Sequence, residues 1–190
     1  MFIVLEGIDG SGKSTHSKLL GDFLRERGYN VLLTSEPTNG KIGMLIREIL
    51  AGKEKVDPKT LALLFTADRY EHIEKEIEPA LKENKIVISE RYYHSTIAYQ
   101  SAQGVEKEWL FQLNRFAIKP DLVIVLDLKP EVALKRVKSR EIFEKEGFLR
   151  KVREHYLSFE DVSIVDGNKI IEEVQKDIRE IVINNLKIRI

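Results

Sequence analysis

No cysteine occurs among the 190 residues, which excludes disulfides, thiolate chemistry and cysteine metal sites. Methionine is almost as scarce, at two. No apolar stretch approaches the ~20 residues needed to cross a bilayer, and no charged-then-apolar leader is present. A cytoplasmic location without membrane partners is the expectation. An excess of one charge is missing too: 31 Lys and Arg balance 31 Asp and Glu. No basic surface therefore argues for nucleic acid, and no acidic tail for a basic partner. Repeats, low-complexity tracts and linkers are absent. What remains is 43% hydrophobic and 33% charged, the composition of a soluble globular chain with one full core, a single domain over residues 1–190. A high charged fraction with so little Cys and Met fits a thermophilic source.

The most informative segment is Gly7-Ile8-Asp9-Gly10-Ser11-Gly12-Lys13-Ser14-Thr15. It follows the apolar run at residues 2–5 and leads into a helical pattern carrying Leu19, Leu20, Phe23 and Leu24. The spacing G-x-x-x-x-G-K-[ST] between strand and helix is that of a phosphate-binding loop. Gly7, Gly10 and Gly12 allow a tight turn whose successive N–H groups face an anion, and the following helix adds its positive end. Lys13 can reach β- and γ-phosphates, and the Ser14 hydroxyl can bind a phosphate-bridging Mg²⁺. The segment argues for nucleotide binding and, alone, says nothing of what is done with the nucleotide.

Short apolar runs at residues 2–5, 31–33, 86–88, 122–126 and 162–165 suit parallel strands covered on both faces. Between them lie helical patterns at 13–27, 43–50, 57–82, 96–102, 106–118, 131–140 and 168–186. The expected fold class is α/β, a three-layer α/β/α arrangement around a five-stranded parallel sheet, with right-handed crossovers. Ligands of such sheets sit beyond the carboxyl ends of the strands. Polar residues stand there: Glu6 and Asp9, Glu36-Pro37-Thr38, Glu90-Arg91-Tyr92, and Asp127. Lys13, Arg69 and Arg91 can offset the charge of two phosphorylated molecules.

At four segments the chain resembles the thymidylate kinase family: EGIDGSGKST (6–15), LLFTADRYEHI (63–73), ERYYHSTIAYQ (90–100) and PDLVIVLDLKPEVALKR (120–136). The resemblance implies a P-loop NTPase type of fold and transfer of the γ-phosphoryl group of ATP to dTMP, giving dTDP and ADP in dTTP synthesis with Mg²⁺. Residue by residue, it implies that Phe65 lies against thymine, that Arg69 bonds a base carbonyl, and that Thr96 and Gln100 complete the base edge. Arg91 would grip the dTMP phosphate and Tyr99 lie against the sugar, near where a ribose 2′-OH would project. Asp9 would hold the 3′-OH and help to position Mg²⁺ with Ser14, while Glu36 and Pro37 border the acceptor. Glu90 stands where most of the family has Asp.

Residues 136–156 are dense in charge, with a lid expected at about 137–150. Transfer needs cations on the moving group, and within the phosphate loop only Lys13 is cationic. The family's alternative is arginine from the lid. Arg136 and Arg140 fit its beginning, and the next such position falls near Ile142, which cannot serve. Arg140 is thus the candidate catalytic arginine, ahead of Lys145 and Arg150. Asp166-Gly167-Asn168 would clasp adenine or, equally, form a turn with Asn168 capping the last helix.

No protein nucleophile is evident. His16, His72, His94 and His155 fall in helical patterns and read as surface or helix-face residues. Direct in-line transfer follows, with Lys13, Asp9, Arg91 and Arg140 positioning reactants and stabilising charge. The rivals are a kinase for dUMP, a deoxynucleoside or AMP, and a GTPase-type switch, for which the N-K-x-D guanine signature is missing. Apolar residues at 61–65 and 109–116 exceed what one helix face buries, and with the resemblance they point to a homodimer.

Overall fold

The computed structural model describes residues 1–136 and 145–186. The chain runs β1 (Phe2–Glu6), α1 (Lys13–Arg25), β2 (Val31–Ser35), α2 (Lys41–Leu50) and α3 (Pro58–His72). A π-helical segment, Ile73–Ile77, joins α3 to α4 (Glu78–Lys82), and β3 (Ile86–Glu90), α5 (Tyr93–Ala102) and α6 (Lys107–Leu113) follow. Then come β4 (Leu122–Asp127), α7 (Pro130–Arg136), α8 (Glu146–Leu157), β5 (Ser163–Asp166) and α9 (Ile171–Leu186).

All five strands are parallel, in the order β2-β3-β1-β4-β5. Alternate side chains leave opposite faces. Ile3, Leu5, Ile86, Ile88, Leu122, Ile124 and Leu126 meet Leu20 and Leu24 of α1 and Val174, Ile178 and Val182 of α9. Phe2, Val4, Val87 and Val123 face the other way, onto Ile77, Ala80 and Tyr92. Val125 of that same face packs with Ile46, Leu61, Ile97, Leu110 and Val152, from α2, α3, α5, α6 and α8. Three layers result, and the covering of both faces is why these strands read as unbroken apolar runs.

Four of the strands run one or two residues beyond their apolar stretches, into Glu6, Thr34-Ser35, Ser89-Glu90 and Asp127. The backbone ladder is indifferent to side-chain polarity, and pairs such as Leu5 with Glu90 and Ser35 with Glu90 carry it onward. Strand β5 lies one residue later than its apolar run. The pattern at 57–82 is one helical path interrupted by the π-helical segment. It opens at Asp57, whose side chain accepts from the Lys59 amide at 2.8 Å. Helix α5 begins earlier than expected and α6 ends earlier. From β1 the chain moves to one side for β2 and β3, then crosses to the other for β4 and β5. That reversal places the candidate loop at the crevice where open α/β sheets bind ligands.

Candidate active site

The loop between β1 and α1 closes on itself through its glycines. Gly7 has φ 139°, and a Cβ there would stand 2.8 Å from both the Leu126 carbonyl oxygen and the Ser11 hydroxyl, so no side chain fits. Gly12, at φ 92°, precedes the first turn of α1. Lys13 folds back, and its ammonium donates to the Gly7 and Ile8 carbonyls at 3.0 Å each. Burial, then the nearby Arg91 charge, lowers Lys13 to about 8.

A cavity of about 890 Å³ spreads from this loop over the strand ends. Asp9, Gly10, Gly12, Lys13, Ser14 and Thr15 line it from the loop, and Glu36, Pro37, Phe65, Arg69, Arg91, Thr96, Tyr99, Gln100 and Arg136 line it from β2, α3, β3, α5 and α7. Fifteen expected residues thus share one space. Gly7, Ile8 and Ser11 shape the loop from behind, with Ile8 and Ser11 buried.

Three clusters organise the walls. In the first, Arg91 adopts φ 69° directly after β3. Its guanidinium donates to Asp9 Oδ1 at 2.5 Å and to Ser95 Oγ at 2.9 Å, and lies 5.2 Å over the Tyr99 ring. The Tyr99 hydroxyl donates to the other Asp9 oxygen at 3.0 Å. Burial opposes ionisation of Asp9, but Arg91 and Lys13 outweigh it and hold the carboxyl at about 2. Behind them, fully buried Glu6 accepts from the Tyr92 and Ser95 amides and from the Ser95 and Tyr156 hydroxyls, which pins the start of α5 to β1 and α8.

In the second cluster, Arg69 is 1% exposed. Its Nη1 donates to Asn114 Oδ1 at 2.5 Å and its Nη2 to the Thr96 hydroxyl at 3.0 Å, while Glu36 pairs with it at 2.7 Å. Arg69 Nε, Gln100 Oε1, the Tyr92 hydroxyl and Glu36 Oε2 are buried and have no hydrogen-bond partner among the described residues, Glu36 Oε2 being held by its ion pair with Arg69 alone. Arg69 Nε is a donor and Gln100 Oε1 an acceptor, and both residues line the same cavity as the half-buried Phe65.

The third cluster centres on Glu90. Ser14 Oγ donates to its Oε2 at 2.6 Å and Ser17 Oγ to its Oε1 at 2.8 Å. The carboxylate that meets the Ser14 hydroxyl is therefore Glu90, whereas both Asp9 oxygens are engaged by Arg91 and Tyr99. Among the described residues no three His, Cys, Asp or Glu side chains form a metal cage. Ser14 and Glu90 are oxygen donors of the kind that hold Mg²⁺ alongside phosphates and waters.

Other expectations resolve differently. Arg140 and Ile142 lie outside the described residues, as does most of the expected lid. Arg150 is exposed and paired with Glu131 and Glu146 at 3.1 and 2.9 Å. Asp127 is taken by Arg153 through two bonds of 2.6 and 2.8 Å, which ties α8 to the end of β4. Asn168 bonds Asp166 in a tight turn, and α9 starts only at Ile171, so Asn168 does not cap it. Its neighbours Gly167 and Lys169, not Asn168, line the cavity. Three histidines are buried rather than superficial: His16, His72 and His94. His16 and His72 have ring partners that a helical pattern cannot reveal, Gln175 across 159 residues and Glu36 across 36, whereas the His94 ring packs against Tyr93 and Phe159. Arg47, His16, Ser95 and Glu90 join the wall without having been expected as ligands. The sequence signals for them were the strand-end position of Glu90 and the segment 90–100, holding Glu90 and Ser95, that resembles the family.

The family model for thymidylate kinase matches residues 5–178. A protein of Thermococcus onnurineus named "Probable thymidylate kinase" is 46% identical over 202 residues, covering 98% of each chain. Proteins of the same printed name from Methanocaldococcus jannaschii, 49% identical over 94% of this chain and 93% of its own, and from Pyrobaculum aerophilum, 46% identical over 95% of each, are similar to it as well. With matches of this extent, the chain belongs to the thymidylate kinase family.

Proposed function

We propose that this protein transfers the γ-phosphoryl group of ATP to dTMP, yielding dTDP and ADP. The observation that carries the reading is one cavity joining a phosphate loop to a base-sized recess. An orphaned donor, Arg69 Nε, and an orphaned acceptor, Gln100 Oε1, belong to residues that line this cavity together with Phe65. A pyrimidine edge with a carbonyl next to an N–H complements that pair. Leaving such groups buried and unpaired costs about 1–3 kcal/mol each, so a ligand that satisfies them is favoured. Phe65 would stack on the ring.

Arg91 holds the acceptor phosphate, an oxygen of which attacks the γ-phosphorus of ATP. The bond from that phosphorus to the β-bridging oxygen breaks, and ADP leaves. Lys13 and the loop amides hold the donor phosphates. Asp9 orients Arg91 and receives the sugar hydroxyl. Arg136 reaches the donor side, and Arg140 is assigned to the group in flight. Ser14 and Glu90 would hold Mg²⁺, which supplies charge neutralisation across the β- and γ-phosphates when bound. No side chain needs to become a covalent carrier, because the acceptor phosphate is itself a nucleophile.

We further assign a homodimer and a cytoplasmic setting. No helix of the described residues is long and apolar enough to cross a membrane. Coupled measurement of ADP formation with ATP and dTMP, dUMP, AMP or thymidine tests the reading. Turnover with dTMP well above the rest is expected, and preference for another acceptor would overturn it.

A further inference from the structure

A polar chain leads away from the acceptor recess to a residue that lines a different cavity. His72, the last residue of α3, is 3% exposed. It borders a space of about 450 Å³ with Thr34, Lys75, Glu71 and Glu76, and it does not line the larger cavity. Its Nδ1 lies 3.1 Å from Glu36 Oε1, while Glu36 Oε2 is the oxygen paired with Arg69 at 2.7 Å. One buried carboxylate is thus shared between the imidazole and the guanidinium. An ionised carboxylate only accepts, so Nδ1 carries a proton toward it. The other ring nitrogen is 2.7 Å from the Thr34 hydroxyl and 3.1 Å from Glu76, and Thr34 itself donates to Glu76 at 2.9 Å, so this nitrogen faces acceptors as well.

We propose that His72 is a positioning residue for the acceptor, its Nδ1–H fixing the Glu36 carboxylate that in turn orients Arg69 in the base recess. The inference rests on the acceptor reading given above. Glu36 Oε2 already has only its ion pair with Arg69, so without the His72 donor the buried carboxylate has no hydrogen bond and can turn to find one, away from its position against Arg69. Arg69 keeps Thr96 and Asn114, so the fold of α3 on α5 survives while the aim of the guanidinium loosens. The remaining ring bonds, to Thr34 and Glu76, anchor the imidazole but do not touch the recess.

Two isosteres separate the ring nitrogens. The amide nitrogen of Asn overlays Nδ1, and that of Gln overlays Nε2. His72→Gln should raise the KM for dTMP about tenfold, the size of one lost bond to a charged group, with kcat and the KM for ATP unchanged. His72→Asn should restore most of the dTMP affinity, and Thr34→Val should leave it intact. Equal loss in the Gln and Asn variants, or loss shared with ATP in proportion to a lowered Tm, would make His72 merely structural and overturn the proposal. Imidazole ¹⁵N NMR of the unmutated protein provides a check that needs no His72 variant. The resonance displaced by Thr34→Val should show Nδ1 protonated and should shift on adding dTMP but not ATP. A ring whose Nδ1 carries no proton, or no response to dTMP, refutes it. A wild-type protein that fails to bind dTMP defeats the acceptor reading instead.

Discussion

At the scale of single residues, burial and charge decide what each group can do. Lys13, lowered to about 8, differs from an ordinary lysine in a way that titrates within a working range. As pH rises through about 8, the free enzyme should lose the ammonium, so kcat/KM for ATP falls, while Asp9, held at about 2, stays ionised and adds no acid limb. Stability moves oppositely. Between about 8 and the ordinary 10.5 the unfolded chain carries the Lys13 proton and the folded one does not, so this group's contribution to stability rises with pH. Paired pH profiles of kcat/KM and of urea midpoints check both signs. Lys13→Ala should lower turnover by at least about 100-fold with the fold intact, because the side chain bonds only its own loop.

Tyr99 carries the second prediction at this scale. Its ring is buried against the recess and its hydroxyl is bound to Asp9. A ribose 2′-OH placed against that ring is crowded and stripped of water, worth about 1–3 kcal/mol or roughly tenfold to a hundredfold in selectivity. Tyr99→Ala should therefore raise kcat/KM for ribothymidine monophosphate relative to dTMP, even as both fall. An unaltered ratio rejects the gate.

Elements place these residues, and here close packing leaves marks that substitution can read. Gly43 sits in α2 where a Cβ would stand 2.0 Å from the Thr38 carbonyl oxygen. That segment carries Thr38, whose amide and hydroxyl bond Asp68 at 2.7 and 2.6 Å, and it adjoins Glu36 and Pro37. Gly43→Ala must push backbone against backbone, an overpacking cost of about 1–3 kcal/mol. Tm should drop by roughly 2–10 °C, with a higher KM for dTMP, as calorimetry and steady-state kinetics would show. Much at this scale was legible in the sequence. The phosphate loop was, because its chemistry is local and its spacing fixed. Five strands were, because two covered faces make unbroken apolar runs. The polar ends of those strands were not, since ladder bonds ignore side chains. Nor were the pairings of Glu90 with Ser14 and Ser17, separated by 76 and 73 residues, or the burial of His72 in a carboxylate pair. Such contacts exist only once the chain has closed, and no window of sequence contains both partners.

For the whole molecule, six of the nine large exposed apolar residues among those described belong to α2, α3, α6 and the segment after α6, the others being Ile164, Ile170 and Ile171. Met44 and Leu45 of α2, Leu63 and Tyr70 of α3, Phe111 of α6 and Phe116 beyond it remain at the surface. Tyr70 and Phe116 already touch, with ring centroids 5.2 Å apart. The helices they cover are those that support Phe65 and Arg69. The proposed homodimer would use this surface, since exposed apolar groups of this kind favour an interface. Light scattering at micromolar concentration should give about twice 22.0 kDa. Phe116→Glu should shift the population toward the 22.0 kDa species. A wild-type monomer throughout that range contradicts the assignment.

The crossing of the chain from one side of β1 to the other has a further consequence, for how the protein can change over descent. What would touch the acceptor is encoded almost entirely within residues 31–100, and what would touch the donor base and the lid within 122–171, with the loop as the common pivot. On the proposed reading, the two recognition tasks would be written in largely separate stretches of the gene. Mutation or recombination can revise one stretch while the other is inherited intact, so acceptor preference can drift among related proteins without reopening the question of which triphosphate they burn.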